Sequence, residues 1–380
     1  MADTLVPTPS KDKLDSSAPA PATTSTADIQ DHWIIGPVTA KFRQYQCMAD
    51  SISKSCPLEP NVQEILALAN VFFLAPEQHS DAKMAVFGQE LLDEAMSHQT
   101  KVLLDKVPTP CSGFTPTDFM TIVDVVSAID AKTMSPKQAR LQLLTLASSM
   151  NDLRANAHQY ATKPIADQGK FGDVDLQTRF YNPLLAAILA DVIKKALLCW
   201  PNKMEETVPQ IRPDAIVSTV VQLKLGPSLG YGEVKPGDDS TTNQSLCIDT
   251  MKLAVLSRNA AQKNGHPIIS FQVNGFHLIF FVVQELGRHL HTMLEIGRLT
   301  VPNSLASLHS FITSKNLSML LRVTSIFWNC CVHDTPSFTS VPPSKLQEIA
   351  TLFSMTDKSS SKARECTIRY SPTVNCRTKP

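Results

Sequence analysis

Net charge is what this chain lacks first: 35 basic residues balance 35 acidic ones. A protein that grips nucleic acid over a broad surface usually carries excess Lys and Arg. Any basic channel here must therefore be local. Long apolar runs are also missing. The most apolar stretch, Phe276 to Val283, is far too short to cross a bilayer. Residues 1–30 hold Pro, Ala, Ser and Thr but no apolar core of a secretory signal. The nine cysteines are odd in number and irregular in spacing, with no CxxC pair. That pattern excludes a stapled disulfide scaffold and fits buried free thiols in a reducing compartment. No HExxH or GxSxG occurs, and the segment Gly226–Gly232 lacks the Gly-Lys-Ser/Thr ending of a phosphate loop. The expectation is an intracellular protein that makes no use of a membrane. Nucleus and cytoplasm are not distinguished, because no compact basic block appears.

What is present is enough apolar sequence, 43% of 380 residues, for one large domain or two modest ones. Residues 1–30, with the run SSAPAPATTST, read as a disordered tail. Residues 31–164 read as mainly helical. Helices are expected from Pro60, from Asp81, over Asp118–Ile129, from Ser135-Pro136 and over Asn151–Thr162, with a Pro/Thr-rich linker at 108–117. Residues 165–354 read as an α/β domain with a C-terminal helical extension, and 355–380 as a flexible basic tail. Pro183 opens a helix expected to run to about residue 198, with Leu184, Leu185, Ile188, Val192 and Leu197 on its buried surface. Beyond Val283 the spacing of Leu286, Leu290, Met293 and Ile296 predicts helices and turns. Short helices are expected over Ser304–Phe311 and Lys345–Phe353, with a further apolar segment over Leu317–Trp328.

The chemistry gathers between Ile211 and Val283. Asp214 opens AIVSTVVQL, a β-branched run that favours a strand, and Pro213 is tolerated at a strand start. Gly226-Pro227-Ser228-Leu229-Gly230 reads as a turn, and Tyr231–Lys235 as the returning strand. Side chains alternate along a strand, so Tyr231, Glu233 and Lys235 share one face and Val234 takes the other. A helix from Leu246 to Lys263 follows, with Asp249, Lys252, Asn259 and Lys263 on one arc. Asn274-Gly275 between two apolar runs predicts a hairpin. If Asp214 lies across the sheet from Glu233, the two carboxylates can share a magnesium or manganese ion. The backbone carbonyl of Val234 is then a further candidate ligand. Lys235 can orient a water and offset transition-state charge, while Lys252 can meet a phosphate.

Arg212-Pro213-Asp214 followed by Gly230-Tyr231-Gly232-Glu233-Val234-Lys235 resembles the PD-(D/E)XK nuclease superfamily. The same stretch is similar to a group of fungal proteins carrying RPD and G-x-GEVK. The resemblance covers about residues 165–285. It implies a restriction-endonuclease-like mixed sheet flanked by helices: a helix, a three-strand meander, a helix and another strand. It also implies magnesium-dependent cleavage of nucleic acid, DNA favoured. Asp214 and Glu233 match the metal-binding acids and Lys235 the catalytic lysine. Lys252 matches a helical position where some members place a basic or amide residue. A further acid on or before the first helix falls to Asp175 or Asp191, Asp175 being the better placed. The first strand of the meander is expected within Glu206–Ile211. The alternative is a catalytically inactive nuclease fold that serves as a nucleic-acid-binding or protein-interaction module. Whether the chain takes a protein partner or forms a homodimer is left open.

Overall fold

The computed structural model describes residues 26–52, 56–107, 115–148, 172–200, 212–221, 224–287, 290–303, 307–333 and 364–371. The N-terminal part is helical: α1 (Thr26–Ile52), α2 (Leu58–Leu68), α3 (Asp81–Phe87), α4 (Gln89–Asp105), α5 (Pro116–Asp130) and α6 (Pro136–Ser148). It also supplies one strand that the sequence reading lacks, β1 (Val71–Leu74), and this strand is buried along its whole length. Asp173–Asp175 and a π-helical turn, Leu176–Tyr181, lead into α7 (Asn182–Leu189). Then come β2 (Ala196–Cys199), β3 (Ala215–Val221), β4 (Lys224–Lys235), α8 (Asn243–Asn264), β5 (Ile268–Asn274), β6 (His277–Gly287) and β7 (Leu290–Thr300). Two helices, α9 (Leu308–Phe311) and α10 (Ser314–Ile326), and a final π-helical turn, Phe327–Cys331, close the order.

The strands form one mixed seven-stranded sheet in the order β1-β7-β6-β5-β4-β3-β2. Strands β2, β3 and β4 are an antiparallel meander. Helix α8 then carries the chain over to β5, which lies parallel to β4. The expected hairpin forms between β5 and β6, with Asn274 opposite His277 and Gly275 at φ 60°. Strand β1 closes the far edge, parallel to β7. Both faces are covered. Val217, Val234, Phe271 and Phe280 pack into one core with α1, α4, α7 and α10. Ile216, Tyr231, Phe281 and Met293 pack into the other with α2 and α8. The result is an α/β fold of three layers. Among the described residues no helix is long and apolar enough to cross a membrane.

Several expectations are corrected. Helix α7 stops at Leu189, and Ala190 turns extended at φ −131°, ψ 138°. Asp191 Oδ1 accepts the backbone N–H of Ile193 at 2.7 Å and of Lys194 at 3.2 Å, which closes a tight turn. Val192 is therefore 89% exposed, and Leu197, at 41%, lies in β2 rather than on a helix. The first strand of the meander is thus Ala196–Cys199; the expected site, Glu206–Ile211, lies outside the described residues. Gly226 to Gly230 are no turn but lie inside β4, where register shifts against Val217–Val220 take up Pro227. The stretch Leu290–Thr300, expected as helix and turn, is strand β7. It is buried on both faces, which erases the alternation that would have marked it.

The C-terminal tail is also corrected in part. Residues 364–371 dock on the body, with Ile368 and Tyr370 buried. Arg369 N–H donates to Gln78 Oε1 at 2.7 Å, and Tyr370 Oη lies 2.9 Å from Thr250 Oγ1. The segments 1–25, 108–114, 151–162 and 345–353 lie outside the described residues. The end of α7 gives a direct check. Ile188→Ala is expected to cost about 2–5 kcal/mol in urea unfolding, as a buried core truncation. Val192→Lys is expected to stay within about 0.5 kcal/mol of the parent, as a surface change. Equal losses at the two positions would contradict this boundary.

Candidate functional site

The site starts from the register of β3 on β4. Ala215 pairs with Gly232, which carries Asp214, one residue earlier, opposite Glu233. Directly opposed residues of an antiparallel pair share a face. Asp214 Oδ2 accepts the backbone N–H of Val234 at 2.8 Å, so the entry to β3 is pinned to the strand that bears Glu233. Gly232 makes the site possible from below. A Cβ there would come within 2.1 Å of the Phe271 ring, so only glycine lets that ring cross under β4.

Helix α8 supplies the other half. It starts with a capping box, Thr242 Oγ1 accepting from Ser245 N and Ser245 Oγ from Thr242 N, each at 3.1 Å. Asp249 and Lys252, three residues apart, share a face and meet the sheet together. Lys235 Nζ lies 3.0 Å from Asp249 Oδ2. Lys252 Nζ lies 3.0 Å from Asp249 Oδ1 and 3.4 Å from Glu233 Oε2. The carboxylates of Glu233 and Asp249 are 1% exposed, whereas the two lysines keep about a quarter of their side chains in solvent. Acids thus form the floor and ammonium groups the rim.

The electrostatics follow from that arrangement. Burial pushes the Glu233 carboxyl well above its ordinary value of 4.5. Asp249 and Asp214 push it the same way, against the pull of Lys252 and Lys235. Asp214 is raised too, by burial first and by Asp249. The Val234 N–H, Lys235 and Lys252 oppose that shift. Burial alone would lower both lysines, yet both are raised. Asp249 with Glu233 outweighs burial at Lys235, and Glu233 with Asp249 does so at Lys252. With every group ionised the cluster holds one more carboxylate than ammonium. Glu233 Oε1 is buried and has no hydrogen-bond partner.

Four expected residues, Asp214, Glu233, Lys235 and Lys252, are brought together. Val234 turns its side chain into the opposite core while its N–H serves Asp214. Asp175 pairs with Arg179 at 3.2 Å on an exposed turn, and Asp191 is taken up by its own turn. Asp249 is the participant the sequence reading passed over. Its place on the Lys252 arc was the available signal. Gln272, opposite Glu233 on β5, is instead tied to α8 by Leu246 O at 2.8 Å and Thr250 Oγ1 at 2.8 Å. Among the described residues no group of three or more His, Cys, Asp or Glu is gathered to hold a metal. The oxygens of Asp214 and Glu233, with the orphaned Oε1, suit a hard divalent cation that keeps water in its remaining positions.

No protein family, no characterised protein and no solved structure matches this chain.

Linkage gives a pH signature. Glu233 holds its proton more tightly folded than unfolded, so its contribution to stability falls as pH rises from about 4.5 towards its folded pKa. Glu233→Gln removes that loss. In urea unfolding the variant is expected to gain on the wild type as pH rises above about 4.5, over the range up to the folded-state pKa. A constant difference across that range would show that Glu233 titrates normally.

Proposed function

We propose that the chain is a metal-dependent phosphodiesterase acting on DNA through a PD-(D/E)XK-like site. One observation carries the proposal: Asp214 stands opposite Glu233 on adjacent strands, with Lys235 two residues on and facing the same side. The order of elements supports it. Helix α7, the meander β2–β3–β4, helix α8 and the parallel strand β5 follow the helix, meander, helix and strand of that superfamily's common core.

In this mechanism Asp214 and Glu233 would hold magnesium, or manganese in its place, with the Val234 carbonyl as a further candidate ligand; Asp175, the acid offered by the resemblance, is instead paired with Arg179 on an exposed turn. When bound, the cation would polarise the phosphodiester and make water a stronger nucleophile. The chain's own residues do the rest. Asp249 fixes the Lys235 ammonium at 3.0 Å and keeps it protonated, so Lys235 acts as a cation rather than as a base. It orients the attacking water and offsets the charge that grows on the phosphoryl oxygens. Water oxygen bonds to phosphorus, the ester P–O bond breaks, and a proton ends on the leaving oxygen. Lys252, on the rim, meets the neighbouring phosphate.

A second reading, a nuclease fold that binds without cutting, is favoured by one observation. The Lys252 ammonium already bridges Glu233 and Asp249, so the charges largely satisfy one another. Cleavage of duplex, branched and single-stranded DNA with magnesium or manganese separates the two. Wild type is expected to cut, and Glu233→Ala or Lys235→Ala to cut at least about 100-fold more slowly. DNA binding without cutting by wild type would favour the second reading. Equal rates in all three proteins would contradict the proposed site.

A further inference from the structure

We propose that the cavity at the free end of β7 binds a small ligand carrying an oxyanion on an apolar body, and that Arg322 is its anchor. Strand β1 pairs with β7 only as far as Leu294, while β7 runs on to Thr300. A cavity of about 800 Å³ opens beside that uncovered edge, between α4, α10 and the docked C-terminal segment. The size is that of a small-molecule site. It lies three strands from Glu233, so it is separate from the acidic cluster and does not depend on the reading of that cluster.

Three arginines line it, and two are already engaged. Arg298 forms a two-pronged pair with Glu295, Nε to Oε1 at 2.8 Å and Nη2 to Oε2 at 2.7 Å, and gives Nη1 to the Arg369 carbonyl at 3.0 Å. Arg369 gives Nη2 to the Glu77 carbonyl at 2.8 Å and lies 3.7 Å from the Glu77 carboxylate. Arg322 differs. Among the described residues no carboxylate lies within ion-pair distance of it, and its Nε is buried with no hydrogen-bond partner. Burial alone lowers its pKa. Arg322 itself is half-buried; a guanidinium drawn partly out of water without a counter-charge is costly, and its planar group is matched best by a carboxylate or phosphate. The nearby wall is apolar: Leu294 and Ile296 from β7, Met96 from α4 and Met319 from α10. A charged head on Arg322 and an apolar body against those side chains satisfy both parts of the cavity.

Calorimetric titration of the full chain with octyl phosphate, octanoate and octanol tests this. At least one of the two anions is expected to bind, with octanol at least tenfold weaker; the stronger anion identifies phosphate or carboxylate as the head. Arg322→Met is expected to weaken that binding at least tenfold while its melting temperature stays equal to or above wild type, since a half-buried charge with no carboxylate partner is lost. Ser97→Trp, on the exposed rim of the cavity, is the second variant and is expected to block entry with the core untouched. The proposal is overturned if none of the three probes binds, if octanol binds as tightly as the anions, or if anion binding survives either substitution.

Discussion

One constraint organises the molecule: Glu233 and Asp249 are buried between a central strand and the helix laid across it, and two lysines must reach in to balance them. Taking a carboxylate out of water costs several kcal/mol even after relaxation. The cost is offset only if Lys235 and Lys252 arrive with good geometry, which fixes the rotation and depth of α8 on the sheet. The neighbouring contacts reinforce that seat. Gln272 donates to the Leu246 carbonyl, Thr250 bonds Gln272, and Ser257 Oγ lies 2.6 Å from Ser270 Oγ. A polar seam therefore runs under α8 inside an otherwise apolar layer. Such a seam specifies one docking of the helix where apolar contact alone would tolerate several.

The docked segment 364–371 ties this seam to the far edge of the sheet. Cys366 Sγ lies 3.3 Å from Cys247 Sγ on α8, and the Thr367 N–H donates to the Glu59 carbonyl on α2. Arg369 meets both Gln78 and Arg298. A short piece of chain near the C-terminus thus touches α2, α8 and the region beside β7. The acidic cluster and the arginine-lined cavity lie at opposite ends of that path.

Parts of this arrangement were legible in the sequence for identifiable reasons. The β-branched run after Asp214, the alternation through Tyr231–Lys235 and the Asn274-Gly275 turn are local signals, and each led to the right element. Helix α8 was legible from its length. Other elements were hidden by tertiary burial. β7 is covered on both sides, so its apolar residues fall as readily on a helical spacing as on a strand. β2 is four residues long and follows a helix with only a tight turn between, so Leu197 looked like that helix's continuation. Pro227 looked like a turn because its place in β4 depends on a bulge that only the pairing with β3 creates. Ile368 and Tyr370 sit among charged and polar residues that read as solvated tail. Of the candidate site, the strand residues were readable by alternation, whereas Asp249 acquires its role only when α8 is docked.

The most direct test is the carboxyl carbon resonance of Glu233, followed by NMR through a pH titration with and without magnesium. Without the cation, Glu233 is expected to keep its proton well above 4.5, because burial and two neighbouring carboxylates disfavour its charge. With magnesium, the same resonance is expected to titrate at a lower pH, because a cation there favours the ionised form. A midpoint near 4.5 that magnesium does not move would contradict both the buried charge and the proposed cation site.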